Sequence, residues 1–269
     1  MTGGGAIARA TALQNTGRMT DEVTQQLLTR FVGAVSALPS LIAVWAHGSL
    51  AGGDFQPEVS DLDLIAVLSA RCTAQQEEQL VRLHEELARD IPRAARLHCS
   101  YVVTDAWDDL TRRHLTWAHE ELMHRPVTAV TRRELHRFGK VLYGPPPAGL
   151  LPAVTDRQLI DFVVEDLSSY WRPALDHPDR WLKDIWVDLG LLTLARASVT
   201  LRTGLLITKS EALDVLTELN APADVVRDIR RRRYGPPAPA STTWPAQRAE
   251  LTRVFLRCAI EDVLTGRRA

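Results

Sequence analysis

The chain has 269 residues, of which 45% are hydrophobic and 24% are charged, with 32 basic and 33 acidic side chains. This composition is typical of a soluble globular protein, so disordered, collagenous and other fibrous classes are excluded. A formal net charge of −1 gives no global electrostatic reason to expect nucleic acid or a membrane surface as a partner. The cysteines are too few and too scattered for a disulfide framework or a paired-cysteine metal site; they are Cys72, Cys99 and Cys258.

No apolar run reaches the ~18 residues of a membrane span, and no secretory signal is recognised at the start of the chain. The sequence therefore predicts a cytoplasmic protein that has no membrane partner. Residues 1–20 are expected to form a disordered leader.

The first half of the chain alternates helix and strand patterns. Apolar residues at helical spacing predict helices over 21–38 and 74–90, and the turn-rich segment 50–60 is expected to be a loop. Short apolar runs predict three strands, at 41–46, 61–68 and 96–104. This alternation predicts an α/β sheet domain over 21–146.

The second half is helical in pattern. A proline-rich segment, Tyr143–Pro147, with Pro152 close behind, is the best candidate for a linker. Beyond it, helices are expected over 155–173, 180–203, 208–219, 222–233 and 245–266. The arginine run 230–233 is expected to be a solvated helix end, so nucleic acid is not an expected partner. The predicted fold class is α/β plus all-α: a sheet domain followed by a helical bundle domain over 150–269, with the active site between them.

The block that carries chemistry is His47–Leu68, HGSLAGGDFQPEVSDLDLIAVL. Asp61 and Asp63 are two apart at the start of a buried strand, so both carboxylates leave the same face with Cα atoms ~6.5–7 Å apart. Converging carboxylates repel unless a cation lies between them, and oxygen ligands suit Mg²⁺. Upstream, Gly48 allows close backbone approach, and the Ser49 hydroxyl with neighbouring N–H groups can hold phosphate oxygens. The combination indicates phosphoryl or nucleotidyl transfer, and the buried continuation of the strand disfavours the alternative of an exposed strand with alternating acids.

This block resembles the DNA-polymerase-β-like nucleotidyltransferase superfamily, and within it the chain resembles aminoglycoside adenylyltransferases of the streptomycin/spectinomycin type. The narrower resemblance rests on Leu189–Lys209 (LGLLTLARASVTLRTGLLITK) and on the linker Val141–Pro145, and the likeness spans residues 25–220. It implies an enzyme that moves AMP from ATP to a hydroxyl of a small-molecule acceptor such as an amino sugar. It further implies Mg²⁺ as the cofactor, pyrophosphate as a product and antibiotic resistance as a setting. We expect a monomer.

The resemblance also implies roles for individual residues. Asp61 and Asp63 would bind Mg²⁺, and the nucleotide would be bound by Gly48, Ser49, Ser60, Arg196 and Lys209. Judged from the residues alone, the charge of Arg196 within an apolar helical segment needs a partner. Either a triphosphate or an internal salt bridge to Asp184 or Asp188 would supply it. His47 is expected at a strand end near the nucleotide.

One position departs from the family pattern. These enzymes carry a third carboxylate on the following strand, as the base toward the acceptor hydroxyl, and His98 occupies that place here. Strand alternation puts His98 on a polar face with Arg96 and Ser100, and histidine is an adequate general base near neutral pH. Three interpretations stay open: His98 is the base, the base comes from elsewhere such as Asp105 or Glu120, or transfer activity is altered or lost.

Two further segments are open to two interpretations each. The segment 107–125 either faces the acceptor or forms an amphipathic helix with Trp117 in the core, and the spacing of its histidines does not suit zinc. In the helical half, aromatic residues and acids either bind an amine-bearing sugar or serve packing; they are Tyr170, Trp171, Trp181, Trp186, Asp176, Asp179, Asp184 and Asp188. An ATP-binding protein without transferase activity, and a nucleotidyltransferase acting on a protein or an RNA, stay as alternative classes.

Overall fold

The computed structural model describes residues 21–107, 109–236 and 244–266, so the predicted leader lies outside the described residues. The sheet-containing half comprises α1 (Glu22–Val35), β1 (Leu41–Ala46), α2 (Gly48–Gly52), β2 (Leu62–Leu68), α3 (Ala74–Asp90), β3 (Leu97–Val103), β4 (Arg113–Ala118), β5 (Glu121–Pro126), α4 (Ala129–Phe138) and β6 (Lys140–Tyr143). The helical half comprises α5 (Asp156–Glu165), α6 (Arg172–Ala174), α7 (Asp184–Thr203), α8 (Lys209–Glu218), α9 (Ala223–Tyr234) and α10 (Trp244–Leu264).

A six-stranded mixed sheet runs in the order β5-β4-β3-β2-β1-β6. Strands β2 and β3 are parallel, and the other neighbouring pairs are antiparallel. In the β2–β3 register, Asp63 lies beside His98 and Ile65 lies beside Ser100. Because the two strands run in the same direction, the polar residues at their starts share one end of the sheet.

Alternate residues of the strands enter two separate cores. On one face, Leu64 and Cys99 pack with Phe31 of α1 and with residues of α3. On the other face, Trp45 and Ile65 belong to a smaller cluster that α4 helps to cover. The predicted alternation of β3, with His98 and Ser100 on the side opposite Leu97, Cys99 and Tyr101, is confirmed by its burial pattern.

The interpretation of 107–125 as an amphipathic helix is wrong, because β4 and β5 form an antiparallel hairpin there. His119 and Glu120 make the turn, with φ of 54° and 60°. Two consecutive left-handed residues match the twist of a two-residue hairpin, although neither is the glycine or asparagine that usually signals one. Trp117 is nevertheless a core residue, 3% exposed and stacked on His84 at 4.7 Å between ring centroids.

The helical half packs around α7, which contributes to a core shared with α5, α8, α9 and α10. At Gly190, a Cβ would lie 2.7 Å from the Trp181 ring, so glycine lets α7 approach this fully buried side chain. The sheet followed by helices agrees with the predicted fold class, while the division into two domains stays a prediction. Over the described ranges, no helix has both the length and the apolar character needed to cross a membrane.

Candidate active site

The turn after β1 brings the backbone against the acidic strand β2. The His47 N–H donates to the Asp63 carbonyl oxygen at 3.0 Å, which ties the end of β1 to the start of β2. Gly48 follows with φ of +61°, and a Cβ there would lie 2.6 Å from Asp63 Oδ2. Only glycine can adopt this φ and lie this close to the Asp63 carboxylate, so the residue before Ser49 is a glycine.

The two predicted carboxylates have different surroundings. Asp61 Oδ1 lies 3.7 Å from the Arg96 guanidinium, and Asp63 Oδ1 lies 3.6 Å from His98 Nδ1. Burial opposes ionisation of Asp63, but the interaction with His98 and the charges of His47 and Lys209 outweigh it and lower the pKa of this carboxyl. Asp63 is therefore ionised at neutral pH.

The donor chemistry of this pair fits a divalent cation. Carboxylate oxygens are the ligands that Mg²⁺ prefers. Because Gly48 has no side chain, Asp63 Oδ2 is not covered from that residue. Within the part of the chain that the structure describes, no group of three or more His, Cys, Asp and Glu side chains could hold a metal ion. Two carboxylates would leave the other ligand positions to nucleotide oxygens and water, which is the usual mode of Mg²⁺ binding.

A cavity of about 460 Å³ lies between the sheet-containing and helical halves. Its volume is within the range of small-molecule sites, ~300–1,000 Å³. The predicted site residues that line it are Gly48, Ser49, Asp63, Arg196 and Lys209. The structure thus brings together residues as distant in the sequence as Gly48 and Lys209.

Glu134 of α4 also lines this cavity and was missed by sequence reasoning. Its Oε2 is 3.2 Å from His47 Nδ1 and accepts the Gly48 N–H at 3.3 Å, while its Oε1 accepts Arg196 Nη2 at 2.9 Å. Burial raises the pKa of this carboxyl, but the hydrogen bond and charge of His47, together with the charge of Arg196, outweigh that and lower it. Glu134 therefore joins the turn after β1 to the helical half.

Arg196 has a partner other than the ones that sequence analysis considered. It donates from Nε to the Ile207 carbonyl at 3.0 Å and from Nη2 to Glu134. Asp184 and Asp188 are instead paired with Arg232 and Arg248. The internal salt bridge that the sequence left open as an alternative therefore forms, but with Glu134 and not with either of these acids. Among the described residues nothing accepts a hydrogen bond from Arg196 Nη1, which leaves two N–H groups for a ligand.

The two remaining phosphate-site candidates are placed differently. Lys209 begins α8 and lines the cavity; burial and the nearby charge of Arg233 lower its pKa, while Asp63 opposes that shift. Ser60 is 2% exposed, and its hydroxyl accepts the Gln56 N–H at 3.0 Å and Arg233 Nη2 at 3.2 Å. It does not line the cavity, so its contact with phosphate stays a prediction.

The expectation that the arginine run is a solvated helix end holds for Arg230 and Arg231, which are exposed, but not for Arg232 and Arg233. Arg232 bonds to Asp188 at 2.6 Å and to Asp228 at 3.0 Å, and Arg233 is buried against Ser60. Next to it, Tyr234 donates to Asp54 at 2.9 Å, and Asp54 also accepts the N–H of Ser210 at 3.2 Å. These contacts hold the loop after α2 against α8 and α9.

His98 lies where the sequence placed it, beside Asp63. Its ring also meets His119 edge-on at 4.8 Å between centroids. A cavity of about 120 Å³, lined by His98, shares Asp63 with the larger cavity. Asp105 lies beyond the other end of β3, about 20 Å away along the strand, and Glu120 is an exposed turn residue. Of these three residues, His98 is the one that lines a cavity together with Asp63.

The arrangement of the sheet and the helical half has a counterpart among solved structures. Among solved structures, the chain is similar to spectinomycin adenyltransferase AAD(9) from Enterococcus faecialis, determined with ATP and spectinomycin. The TM-score is 0.68 at 16% sequence identity, over 87% of this chain and 99% of that one. The comparison confirms the predicted resemblance at the level of the fold. No protein-family model and no curated protein matches the sequence.

Proposed function

We propose that this protein is a nucleotidyltransferase that moves AMP from ATP to a hydroxyl group of a small molecule and releases pyrophosphate. The observation that carries the proposal is the convergence of Asp63, Ser49, Arg196 and Lys209 on one cavity. The ATP bound by the structurally similar AAD(9) supports ATP as the nucleotide. Spectinomycin in that same structure makes amino sugars the first acceptor class to assay.

The side chains of the cavity suit a bound triphosphate. Ser49 and the backbone N–H groups of the α2 turn would orient phosphate oxygens, and the unused Nη1 of Arg196 would donate to them. Lys209 adds a compact positive charge from α8. Asp61 and Asp63 would hold Mg²⁺, which when bound neutralises negative charge on the reacting phosphate groups. These donors stabilise charge where it develops, which is the main requirement of phosphoryl transfer.

His98 is the proposed base toward the acceptor. Its Nδ1 faces Asp63, so an Nδ1–H tautomer leaves Nε2 free to accept a proton. The acceptor oxygen then forms a bond to the α-phosphorus as its proton passes to Nε2. The bond from the α-phosphorus to the bridging oxygen breaks, and pyrophosphate leaves with that electron pair.

The test is pyrophosphate release with ATP and Mg²⁺ across a panel of hydroxylated small molecules that includes spectinomycin. We expect release that depends on one acceptor and is lost in Asp61→Asn, because that substitution removes a carboxylate ligand. Unchanged product formation by Asp61→Asn would contradict the assignment. A cytoplasmic, monomeric enzyme with a part in antibiotic resistance stays a prediction from the sequence.

An ATP-binding protein without transfer activity is the second candidate, and the histidine at the place of the expected third carboxylate favours it. Calorimetry that shows ATP binding without pyrophosphate release for any acceptor would support this candidate. In that case His98→Glu, which restores the carboxylate, is expected to gain transfer activity.

A further inference from the structure

Another cavity lies at the end of the sheet opposite the candidate active site. Its volume is about 270 Å³, close to the lower limit of small-molecule sites, ~300 Å³. Leu68, which lines it, ends β2, whereas Asp63 lies near the start of that strand, roughly 16 Å away along the chain. Among the described residues, none lines both this cavity and either of the two cavities at Asp63. It is therefore a separate site.

The floor of this cavity is apolar and comes from three neighbouring strands. Tyr101 of β3 pairs with Leu115 of β4, and Val103 of β3 pairs with Leu68 of β2. Because alternate residues of a strand share a face, these side chains lie on the side of the sheet that α3 covers. An apolar concave floor suits the hydrocarbon or aromatic part of a small ligand.

The rim of the cavity is basic. Arg71 lies on the loop after β2, Arg112 directly precedes β4, and Arg113 is the first residue of that strand. Among the described residues, Glu77 in the first turn of α3 is the acid that lines the cavity. None of the three arginines forms an ion pair with it or with another described acid. Folding thus brings together positive charge from segments that are distant in the sequence, and leaves it without a partner.

These guanidinium groups have hydrogen bonds left to give. Within the described ranges, no acceptor is bonded to the side chain of Arg71 or Arg112. Arg113 donates from Nη2 to the His124 carbonyl oxygen at 2.5 Å, which holds its side chain against β5 and leaves Nε and Nη1 available. A guanidinium presents five N–H donors in a planar fork that matches the oxygens of a phosphate or a carboxylate.

The surrounding acids do not cancel this excess of positive charge. Asp105 and Asp109 lie between β3 and β4, but neither lines the cavity, and one oxygen of Asp109 accepts both the N–H and the hydroxyl of Thr111. Glu78 of α3 pairs with Arg82 at 3.8 Å and does not line the cavity either. Even when the lining histidines are counted as neutral, three arginines face one acid.

We propose that this cavity binds a small organic anion, whose phosphate or carboxylate group contacts the arginines and whose apolar part lies on the strand residues. The site is separate from the nucleotide cavity, and the inference does not rest on the proposed function. Charge-assisted hydrogen bonds from the arginines supply the strongest contacts, since they are roughly twice as strong as neutral ones. Burial of the apolar part adds affinity that an inorganic anion lacks.

The experiment measures the binding of four compounds to the full chain by calorimetry: phenyl phosphate, benzoate, benzyl alcohol and inorganic phosphate. Mg²⁺ and an α,β-methylene analogue of ATP are present, so that the nucleotide cavity is occupied. We expect phenyl phosphate to bind at least about tenfold more tightly than benzyl alcohol, which lacks the anionic group, and than inorganic phosphate, which lacks the ring. Benzoate carries a single charge and should bind more weakly than phenyl phosphate but more tightly than benzyl alcohol.

Variants of matched charge locate the bound anion. Arg112→Gln should weaken the binding of phenyl phosphate about tenfold. Arg89→Gln, at an exposed residue of α3 outside the cavity lining, should leave it unchanged. Glu77→Gln removes the lining acid and should tighten binding about threefold, while Glu78→Gln, at the next residue, should have a smaller effect. A gain in affinity by Glu77→Gln cannot result from misfolding.

Several results would overturn the proposal. They are no binding of phenyl phosphate at millimolar concentration, equal affinity for benzyl alcohol or inorganic phosphate, and an affinity that Arg112→Gln leaves unchanged. Displacement of phenyl phosphate by the ATP analogue would do the same, because the anion would then occupy the nucleotide cavity. Pyrophosphate release tests nucleotidyl transfer separately, so failure of one proposal is distinguished from failure of the other.

Discussion

The two faces of the central sheet are built from alternate residues of the same strands. One face carries core residues, and the other also carries the residues of the candidate site. Leu64 and Cys99 are buried on the face covered by α1 and α3, where only shape and apolar character are required. One residue away on each strand, Asp63 and His98 lie together on the opposite face. Because side chains of a strand alternate, core residues and cavity residues occupy neighbouring positions, and we expect that they can be changed independently.

The strongest test of this division is a pair of adjacent substitutions. Asp63→Asn is expected to abolish transfer and to cost less stability than Leu64→Ala, because it removes a charge that His98 and Lys209 stabilise but leaves packing intact. Leu64→Ala is expected to lower the free energy of unfolding by about 2–5 kcal/mol, as for other large-to-small core substitutions. Pyrophosphate release and urea denaturation, measured on both variants, separate the two effects.

The control for this pair is the activity of the folded fraction. Leu64→Ala, assayed well below its unfolding transition, should retain transfer activity per folded molecule. If Asp63→Asn destabilised the chain as much as Leu64→Ala, the division between the two faces would be wrong.

A smaller change tests the backbone turn after β1, which lies beside Asp63. Gly48→Ala adds a methyl group 2.6 Å from Asp63 Oδ2 at a φ of +61°. Gly53→Ala has the same kind of backbone cost at a φ of +80° but meets nothing within 4 Å. Each is expected to lower the free energy of unfolding by about 1 kcal/mol or somewhat more. Only Gly48→Ala should lose most of its turnover, so equal turnover of the two variants would contradict the close approach.

Substitution of Glu134 tests how the turn after β1 is joined to the helical half. Glu134→Gln keeps the shape of the side chain but removes the charge that holds Arg196 and His47. Because the pair with Arg196 is largely buried, we expect a loss of about 1–3 kcal/mol of stability and a raised KM for ATP, with kcat less affected. Urea denaturation measures the loss of stability, and steady-state kinetics measures KM and kcat.

The matched control is Asp156→Asn, which removes a carboxylate that is 78% exposed and paired with Arg133. Its effect should stay below about 1 kcal/mol, with KM for ATP unchanged. A KM for ATP that is the same in Glu134→Gln and the wild type would show that Arg196 does not need this partner.

Local sequence patterns predicted the elements that have a clear periodicity, but the turn residues of 50–60 did not predict α2, which extends to Gly52. The strands β1, β2 and β3 follow from short apolar runs, and the placement of Asp63 and His98 on one face follows from alternation. The hairpin of β4 and β5 was missed because His119 and Glu120 adopt left-handed conformations without the glycine or asparagine that normally signals them.

The residues near the candidate site that the sequence did not predict were missed for a different reason. Glu134 lies in an amphipathic helix and looks like any other acid there, and its partners His47 and Arg196 are 87 and 62 positions away. The same holds for Arg232 and Arg233, whose partners lie on other elements. Contacts between elements that are distant in sequence leave no periodic signal in a single chain, so only the folded structure identifies them.

The core between the sheet and α3 also contains a buried histidine, whose titration tests the apolar face of the sheet. His84 of α3 is 2% exposed, stacks on Trp117 and places its Nε2 2.8 Å from the Tyr101 hydroxyl. Burial lowers its pKa to about 3. Between about pH 6.5 and 3 the unfolded chain therefore binds a proton that the folded chain does not, and stability is lost as the pH falls.

His84→Leu removes this titration and leaves the Tyr101 hydroxyl without its partner, so the variant should be less stable at pH 7. Between pH 7 and pH 5 it should nevertheless lose about 1–2 kcal/mol less than the wild type, since a single proton accounts for at most ~1.4 kcal/mol per pH unit. Urea denaturation at the two pH values measures the difference, and His177→Leu, at an exposed histidine, is the control that should keep the wild-type dependence. Equal pH dependence in His84→Leu and the wild type would mean that His84 takes up its proton in the folded chain as readily as in the unfolded chain.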